Sequence, residues 1–226
     1  MNDGGRIDLH VHSAYSPDSR LTLDEIVARL SYVGLRGFAL TDHNSVRGHA
    51  ALRQLQDRYP SYLFVPGVEV STLEGHLLAL GVNETPPVRR PIAETIEWVR
   101  AHGGESVPSH PFRRSHGIGR RVAESVAVNA LETRNGHNSE IDNLRASDIA
   151  ARRGLAETGG SDAHALDDLG RTYTEFTDPV ASVEDVLDAI RRKRSAADGK
   201  SMPLGGRFRR GFRSALLRVG RGFRPI

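Results

Sequence analysis

The sequence predicts an α/β fold in which short strands alternate with amphipathic helices. Residues 6–12 alternate in polarity and are rich in Ile, Leu and Val, which favours a strand. Residues 22–25, Thr-Leu-Asp-Glu, have the pattern of a helix-capping box, and the apolar positions after them predict a helix that ends near Gly34. Residues 36–42 favour a second strand. This alternation of strand and helix is typical of a parallel sheet.

The alternation continues to about residue 194. A second helix is predicted until Pro60, and a third from Pro91 to Gly103, because Pro favours the first turn of a helix and Gly its end. Further helices are predicted at 138–153 and 182–194, and further strands at 62–70, 76–82, 105–108, 126–131, 155–159 and 172–176. Periodicity alone allows an open sheet as well as a barrel.

Composition limits the classes of protein and of site. The chain has 226 residues, of which 38% are hydrophobic and 26% charged, as expected for one globular domain with a substantial core. Because cysteine is absent, disulfide scaffolds and thiolate zinc sites are excluded, and any metal must be held by nitrogen and oxygen atoms. The sequence has no apolar run long enough for a membrane-spanning helix and no signal peptide, so we expect a cytoplasmic protein.

The net charge of +3 conceals a basic C-terminal segment. Residues 191–226 contain twelve Lys or Arg and one acid, which leaves residues 1–190 with a formal charge of −8. We therefore predict a domain at 1–195 and a basic tail at 196–226.

The tail carries apolar residues at spacings of four, four, three and four: Phe208, Phe212, Leu216, Val219 and Phe223. On a helix they would form one stripe, which suits nucleic acid, an anionic membrane surface or an acidic partner, although the glycines between them weaken a helix. The alternatives are a mobile tail and one that packs back on the acidic domain.

A pair of histidines near the N-terminus indicates a metal site. His10 and His12 lie two residues apart on the first predicted strand, so their side chains point to the same face. The turn signal Ser-Pro-Asp-Ser at residues 16–19 then allows Asp18 to fold back towards them.

Four further motifs place potential ligands directly after short apolar runs. They are Thr41-Asp42-His43-Asn44, Gly67-Val68-Glu69-Val70, Pro108-Ser109-His110-Pro111 and Gly160-Ser161-Asp162-Ala163-His164. Each motif thus falls at the carboxyl end of a predicted strand, which is where barrel enzymes assemble their sites.

The order of these motifs over residues 6–195 resembles the polymerase and histidinol phosphatase (PHP) family of metal-dependent phosphoesterases. The resemblance implies a distorted (β/α)7 barrel that binds two or three divalent ions, Mn, Fe or Zn. It implies that His10, His12, Glu69 and Asp162 hold one ion and that Glu69 bridges to a second. His76 and His110 would complete the coordination of the second ion, and Asp18, His43 and His164 would hold a third. Some relatives have His at position 18, and an Asp there favours Mn or Fe.

The resemblance also implies roles for residues around the ligands. Asp42 and His43 are the predicted catalytic residues, with Asp42 as a supporting group or proton acceptor. Arginines suit phosphate oxygens because the guanidinium can donate two hydrogen bonds at once. The candidates are Arg113, Arg134 and Arg171, while Glu132 and Asn135 are expected to shape the pocket.

Four other histidines lie outside these motifs. We expect His49 and His102 to be ordinary, partly exposed helix residues. His116 and His137 lie in glycine-flanked loops and are either exposed loop residues or substrate contacts.

Three functions follow as alternatives. The first is a phosphoesterase that hydrolyses a small phosphomonoester or nucleotide-like phosphate through a metal-activated hydroxide. The second is a nuclease that acts on the ends of short RNA or DNA, and the third is a noncatalytic, metal-stabilised interaction module. The complete ligand set argues against the third.

Overall fold

In the computed structural model, residues 5–201 are described, and they form nine strands and six helices. The strands are β1 (Arg6–Val11), β2 (Gly37–Leu40), β3 (Leu63–Ser71), β4 (His76–Leu80), β5 (Glu105–Pro108), β6 (Ala130–Asn135), β7 (Ala156–Gly160), β8 (Thr172–Phe176) and β9 (Ser195–Gly199). The helices are α1 (Leu23–Val33), α2 (His49–Arg58), α3 (Ile92–Ala101), α4 (Gly119–Ser125), α5 (Glu140–Arg153) and α6 (Val183–Arg191). The predicted α/β class is confirmed.

Seven strands form one curled sheet in the order β5-β4-β3-β2-β1-β8-β9, which is a half-barrel. The expected parallel pairing holds for β1, β2 and β3, and for the separate pair β6 and β7. The strands β4, β5, β8 and β9 pair antiparallel to their neighbours. A short turn at Thr72–Gly75 joins β3 to β4 with no helix between them, so the chain can only return antiparallel.

The pair β6–β7 lies across the open side of the half-barrel. On the β8 side, the backbone N–H of Gly159 donates to Thr174 Oγ1 over 2.9 Å. On the β5 side, the backbone N–H of His110 donates to Glu132 Oε2 over 2.6 Å. The barrel is therefore completed at this seam by contacts that involve side chains.

Helix α1 is defined by its ends, as the sequence predicts. Thr22 Oγ1 accepts from the backbone N–H of Glu25, and the Glu25 carboxylate accepts from the N–H of Thr22, which completes the capping box. At the other end Gly34 has a φ of 72°, the left-handed conformation that glycine adopts without strain.

The apolar core fills one end of the half-barrel. Ile7 and Leu9 of β1, Val65 of β3 and Val107 of β5 pack with residues of α6. Polar residues follow at the carboxyl ends of β1, β3 and β5, and at the start of the antiparallel β4. The fold thus separates an apolar end from a polar end.

Three elements differ from the sequence prediction. Helix α4 and strand β9 were not predicted, and β6 begins at Ala130 where the prediction placed a strand at 126–131. The apolar side chain of Val126 packs with residues of α4 and α5, such as Ala123 and Ile149.

Strand β9 also includes residues 196–199, so the sheet extends into the predicted tail, whose residues 202–226 lie outside the described part. None of the helices within residues 5–201 is both long and apolar enough to span a membrane.

Candidate metal centre

Nine side chains that the resemblance assigns to metals lie together at the polar end, and none is more than 8% exposed. They are His10, His12, Asp18, His43, Glu69, His76, His110, Asp162 and His164. Two of them have positive φ: His110, two residues beyond the end of β5, at 32°, and Asp162, two residues beyond the end of β7, at 56°. Such strained backbone is found where surrounding structure fixes a functional side chain.

The nine residues form four overlapping groups whose ligand atoms lie within 4.8 Å of one another. The groups are His12-Asp18-His43-His164, His10-His110-Asp162, His10-His12-Glu69 and His43-Glu69-His76. This grouping differs from the one that the resemblance implies, because His12 also joins Asp18, and Asp162 lies with His110. Glu69 belongs to two groups, as do His10, His12 and His43. Its carboxylate also lies within 3.3 Å of nitrogen atoms from five of the histidines.

The spacing of these atoms fits a metal ion. His10 Nε2 and His12 Nε2 are 3.1 Å apart, and they lie 3.3 and 3.2 Å from Glu69 Oε2. Two ligands that each lie about 2.0–2.2 Å from one ion are roughly 3.0–3.6 Å apart. Two imidazole nitrogens that face each other so closely need a proton or a cation between them, and the residues present can therefore hold divalent ions.

The electrostatics of the centre favour a cation. Burial raises the pKa of Glu69, but the neighbouring histidines His10, His76 and His43 outweigh it and hold the pKa well below its usual range. Burial lowers the pKa of His10, but Glu69 and Glu132 outweigh it and raise that pKa well above the ordinary value. The carboxylates thus favour positive charge on the His10 imidazole, which is the charge that a bound metal ion would supply.

Metal binding is consequently expected to strengthen with pH. Burial lowers the pKa of His12, but Asp162 and Glu69 raise it to about 9, so at neutral pH an ion must displace the proton of this imidazole. For each proton released, the apparent Kd should fall about tenfold per pH unit up to pH 9. Calorimetric titration with Mn²⁺ at pH 7 and 8, in buffers of different ionisation enthalpy, counts the protons. A Kd that does not change between these pH values would contradict the expectation.

Comparison with known proteins identifies the fold family. The sequence profile of the PHP domain matches residues 8–84, and that of the PHP-associated region matches residues 140–195. The chain belongs to the PHP family. The resemblance predicted from the order of the ligand motifs is thereby confirmed.

Individual proteins are similar to this chain in sequence or in fold. Uncharacterised protein MJ1587 of Methanocaldococcus jannaschii is 31% identical over 117 residues, which are 47% of this chain and 68% of that protein. A phosphoribosyl 1,2-cyclic phosphate 1,2-diphosphodiesterase of Eggerthella lenta is 35% identical over 86 residues, which are 35% of this chain and 32% of that enzyme. A two-domain protein from Bacteroides vulgatus, described as containing a predicted PHP-like metal-dependent phosphoesterase, has a TM-score of 0.74 at 18% identity. The superposition covers 94% of this chain and 71% of that one.

Glu132 supports the PHP ligands from behind. Its Oε1 accepts a hydrogen bond from His10 Nδ1 over 2.9 Å, which leaves His10 Nε2 to face the centre. Its Oε2 accepts from the backbone N–H of His110 over 2.6 Å and from Asn135 Nδ2 over 3.0 Å. Such a carboxylate fixes the ring orientation of a ligand histidine and raises its basicity.

Glycine at position 160 allows this arrangement. A Cβ added to Gly160 would lie 2.3 Å from His10 Cβ and 3.0 Å from Glu132 Oε1. A larger residue would thus force β7 away from the ligand-bearing β1.

Asp42 lies behind the ligands, where it fixes the loop after β1. Its two oxygens accept from the backbone N–H and the hydroxyl of Ser13, both over 2.7 Å. Burial raises the pKa of this carboxyl. These contacts give Asp42 a supporting position, and its role as proton acceptor stays a prediction.

The three predicted substrate arginines lie in different places. Arg113 Nη2 donates to Asp162 Oδ2 over 2.7 Å and to Asn135 Oδ1 over 2.6 Å, so it borders the metal centre. Arg134 contacts Glu140 and the carbonyl of Gly199, and Arg171 contacts the carbonyl of Asp167. Neither of these two touches a predicted ligand within residues 5–201.

The remaining histidines divide into rim, interior and surface positions. His116 is exposed and its ring stacks on His76 with centroids 4.5 Å apart, while His137 is buried beside His164. His102 is exposed as expected. The expectation of a partly exposed His49 is wrong, because this side chain is buried and bonds through Nε2 to the carbonyl of Gly67 over 2.9 Å.

Sequence reasoning missed two residues of the site. The Ser109 hydroxyl donates to Glu69 Oε1 over 3.0 Å, and its place beside His110 in the Pro-Ser-His-Pro motif was an available signal. Asp8 is buried, and its Oδ1 accepts from the N–H of Ser161 over 2.8 Å. Burial raises the pKa of Asp8 to about 7. Its position one residue after the apolar Ile7 gave no sign of this role.

Proposed function

We propose that this chain is a metal-dependent hydrolase that cleaves a phosphomonoester or a nucleotide-like phosphate in a site of two or three metal ions. The observation that carries the proposal is the buried set of nine ligand residues with the spacing of metal ligands, bordered by a fixed arginine. The names of the PHP relatives support the same chemistry, since one is a diphosphodiesterase.

The residues that would hold the ions are those of the four groups around Glu69. When bound, divalent ions neutralise phosphoryl oxygens and supply a hydroxide nucleophile at neutral pH, because they lower the pKa of water from 15.7 to about 7. The protein contributes fixed ligands, exclusion of bulk water by burial and orientation of the ester.

Arg113 is placed to orient the phosphate. Its Nε donates to Asn138 Oδ1 over 3.1 Å and its Nη2 to Asn135 and Asp162, so three hydrogen bonds fix the guanidinium. Its Nη1 makes no hydrogen bond within residues 5–201, and the side chain is 21% exposed. The free edge of the guanidinium can therefore donate to a phosphate oxygen beside the metal centre.

His43 is placed to move a proton or to bind an ion. Its Nε2 lies 3.3 Å from Asp18 Oδ2, and its Nδ1 lies 3.2 Å from Glu69 Oε2. Burial lowers the pKa of His43, which favours the neutral imidazole. A neutral imidazole between two carboxylates has a lone pair for either role.

The proposal is tested by metal content and turnover measured on one preparation. The chain is stripped with a chelator, and portions are reloaded with Mn²⁺, Fe²⁺ or Zn²⁺ and analysed by plasma mass spectrometry. Each portion is assayed on p-nitrophenyl phosphate, nucleotide bisphosphates and short oligonucleotides. We expect two or three equivalents of metal, and turnover only in reloaded protein.

Two results of this experiment would contradict the proposal. Stoichiometric metal with no turnover on any of the substrates would contradict the proposal and favour the noncatalytic module. Turnover that survives complete stripping would contradict the role of the metal centre.

A further inference from the structure

The amino ends of β5 and β6 border a cavity, whereas the metal centre lies beyond the carboxyl ends of these strands. The cavity has a volume of about 330 Å³, which is at the small end of the range for small-molecule sites. Its walls come from α3, the first residues of β5, the loop of residues 127–129 and Arg191 of α6. None of the nine predicted metal ligands lines it, so it is separate from the metal centre.

The cavity results from a gap between two strands. Strand β5 is an edge strand of the curled sheet and β6 belongs to the separate pair, so no ladder of backbone hydrogen bonds joins them within residues 5–201. At their amino ends a side chain bridges the gap instead, because Asn129 Nδ2 donates to Glu105 Oε1 over 3.0 Å. The space beside this bridge stays open to a ligand.

Ser106 contributes a buried hydroxyl to the wall of the cavity. It lies between Glu105, which bonds to Arg191, and Val107, which packs in the apolar core. Because side chains alternate along a strand, Ser106 points the other way, towards α3. Ser106 is 5% exposed, and its Oγ has no hydrogen-bond partner in the described part of the chain. An unpaired buried hydroxyl is unfavourable, and a bound acceptor would satisfy it.

Arg100 contributes a positive charge at the same cavity. It is an exposed residue of α3, and its side chain makes no hydrogen bond or ion pair with any residue of 5–201. The other arginine of the lining, Arg191, is already held by Glu105 over 3.3 Å and by Glu184 over 2.7 Å. Arg100 is therefore the cation that remains for a ligand, and it suits a single negative charge.

Two aliphatic side chains complete the lining. Ile96 is buried and Val128 half-buried, and both belong to the apolar cluster that includes Leu77 and Leu131. A ligand in the cavity thus meets an apolar wall as well as the Arg100 guanidinium and the Ser106 hydroxyl. Apolar walls with a few polar groups are typical of small-molecule sites.

We infer that this cavity binds a small organic monocarboxylate. Its oxygens accept from Arg100 and from the Ser106 hydroxyl, and its apolar part lies against Ile96 and Val128. Both polar groups are donors, and a guanidinium forms strong hydrogen bonds to a carboxylate. A cationic ligand is disfavoured, because Arg100 would repel it and Glu105 is already bonded to other side chains. This site does not depend on the proposed hydrolase function.

Benzoate is the probe for this site, and benzamide is its control because it has nearly the same shape without the charge. Binding to the full chain is measured by ligand-observed NMR, after a chelator has removed metal ions that could bind the carboxylate. We expect a Kd of roughly 1 mM for benzoate, as for a ligand of this size, and at least about tenfold weaker binding of benzamide.

Substitutions locate the bound benzoate. Arg100→Gln and Ser106→Ala should each raise its Kd roughly tenfold, because each removes one donor to a charged group. Ser106→Ala also removes an unpaired buried hydroxyl, so the thermal unfolding temperature of the ligand-free variant should not fall. The matched control is Arg58→Gln, since Arg58 pairs with Asp24 and does not line the cavity. Its Kd for benzoate should equal that of the parent chain.

Three results would overturn the inference. A single Kd for the parent chain, Arg100→Gln and Ser106→Ala would place the benzoate elsewhere. Equal affinity for benzoate and benzamide would remove the role of the charge, and the absence of benzoate binding up to about 50 mM would exclude the site. These outcomes are independent of turnover at the metal centre, because no predicted metal ligand lines the cavity.

Discussion

Replacing Glu69 with glutamine is expected to remove bound metal and to lower turnover by about 10³-fold or more. Glu69 lies within 3.3 Å of imidazole nitrogens from His10, His12, His43, His76 and His110. Glutamine keeps the volume but is neutral and offers one acceptor oxygen. The histidines would then face one another without the central negative charge that favours a cation.

Plasma mass spectrometry and turnover on the best substrate of the panel measure this effect. Glu157→Gln is the matched control, because this β7 carboxylate accepts from Thr133 and Ser147 and contacts no predicted ligand in the described residues. It should retain the metal content of the parent chain. If Glu69→Gln retained full metal content and activity, the central role of Glu69 would be refuted.

Replacing His43 with alanine should lower kcat by about 10²- to 10⁴-fold, the usual contribution of a positioned proton-transfer group. His43 belongs to two of the four ligand groups, so the loss of one metal equivalent is expected as well. A steady-state assay is combined with metal analysis. A fall in kcat at unchanged metal content would indicate proton transfer, and a matching fall in both would indicate ligation.

His102→Ala is the control for this substitution. His102 is exposed, its ring stacks on Trp98 at a centroid distance of 3.6 Å, and it belongs to none of the ligand groups. We expect its turnover to equal that of the parent chain. Full activity in His43→Ala would refute a role of His43 in proton transfer or in metal ligation.

Short-range patterns in the sequence were sufficient to predict the ends of α1 and the convergence of His10 with His12. Capping and strand alternation are local, and both are observed. The grouping of the nine ligands was not predictable in this way, because it depends on how the sheet curls. His76, for example, reaches the polar end because β4 runs antiparallel to β3.

Arg134 shows where a regular pattern misleads. Alternation along a strand would put Glu132 and Arg134 on one face. The register of β6 against β7 shifts between these residues, so Glu132 and Asn135 face the site, and Arg134 turns to Glu140 and Gly199. Such an irregularity has no signature in a single sequence.

The contacts between the β6–β7 pair and the curled sheet involve residues of the candidate metal centre. One of these contacts is a hydrogen bond from the backbone of a ligand residue, His110, to Glu132, and Glu132 also holds the His10 ring. The backbone N–H of Asp162 donates to the carbonyl of His10 across the same seam over 2.8 Å. The residues that close the barrel are thus those that orient the metal ligands. A substitution at one of these positions is therefore expected to disturb both the packing of β6–β7 on the curled sheet and the orientation of the ligands.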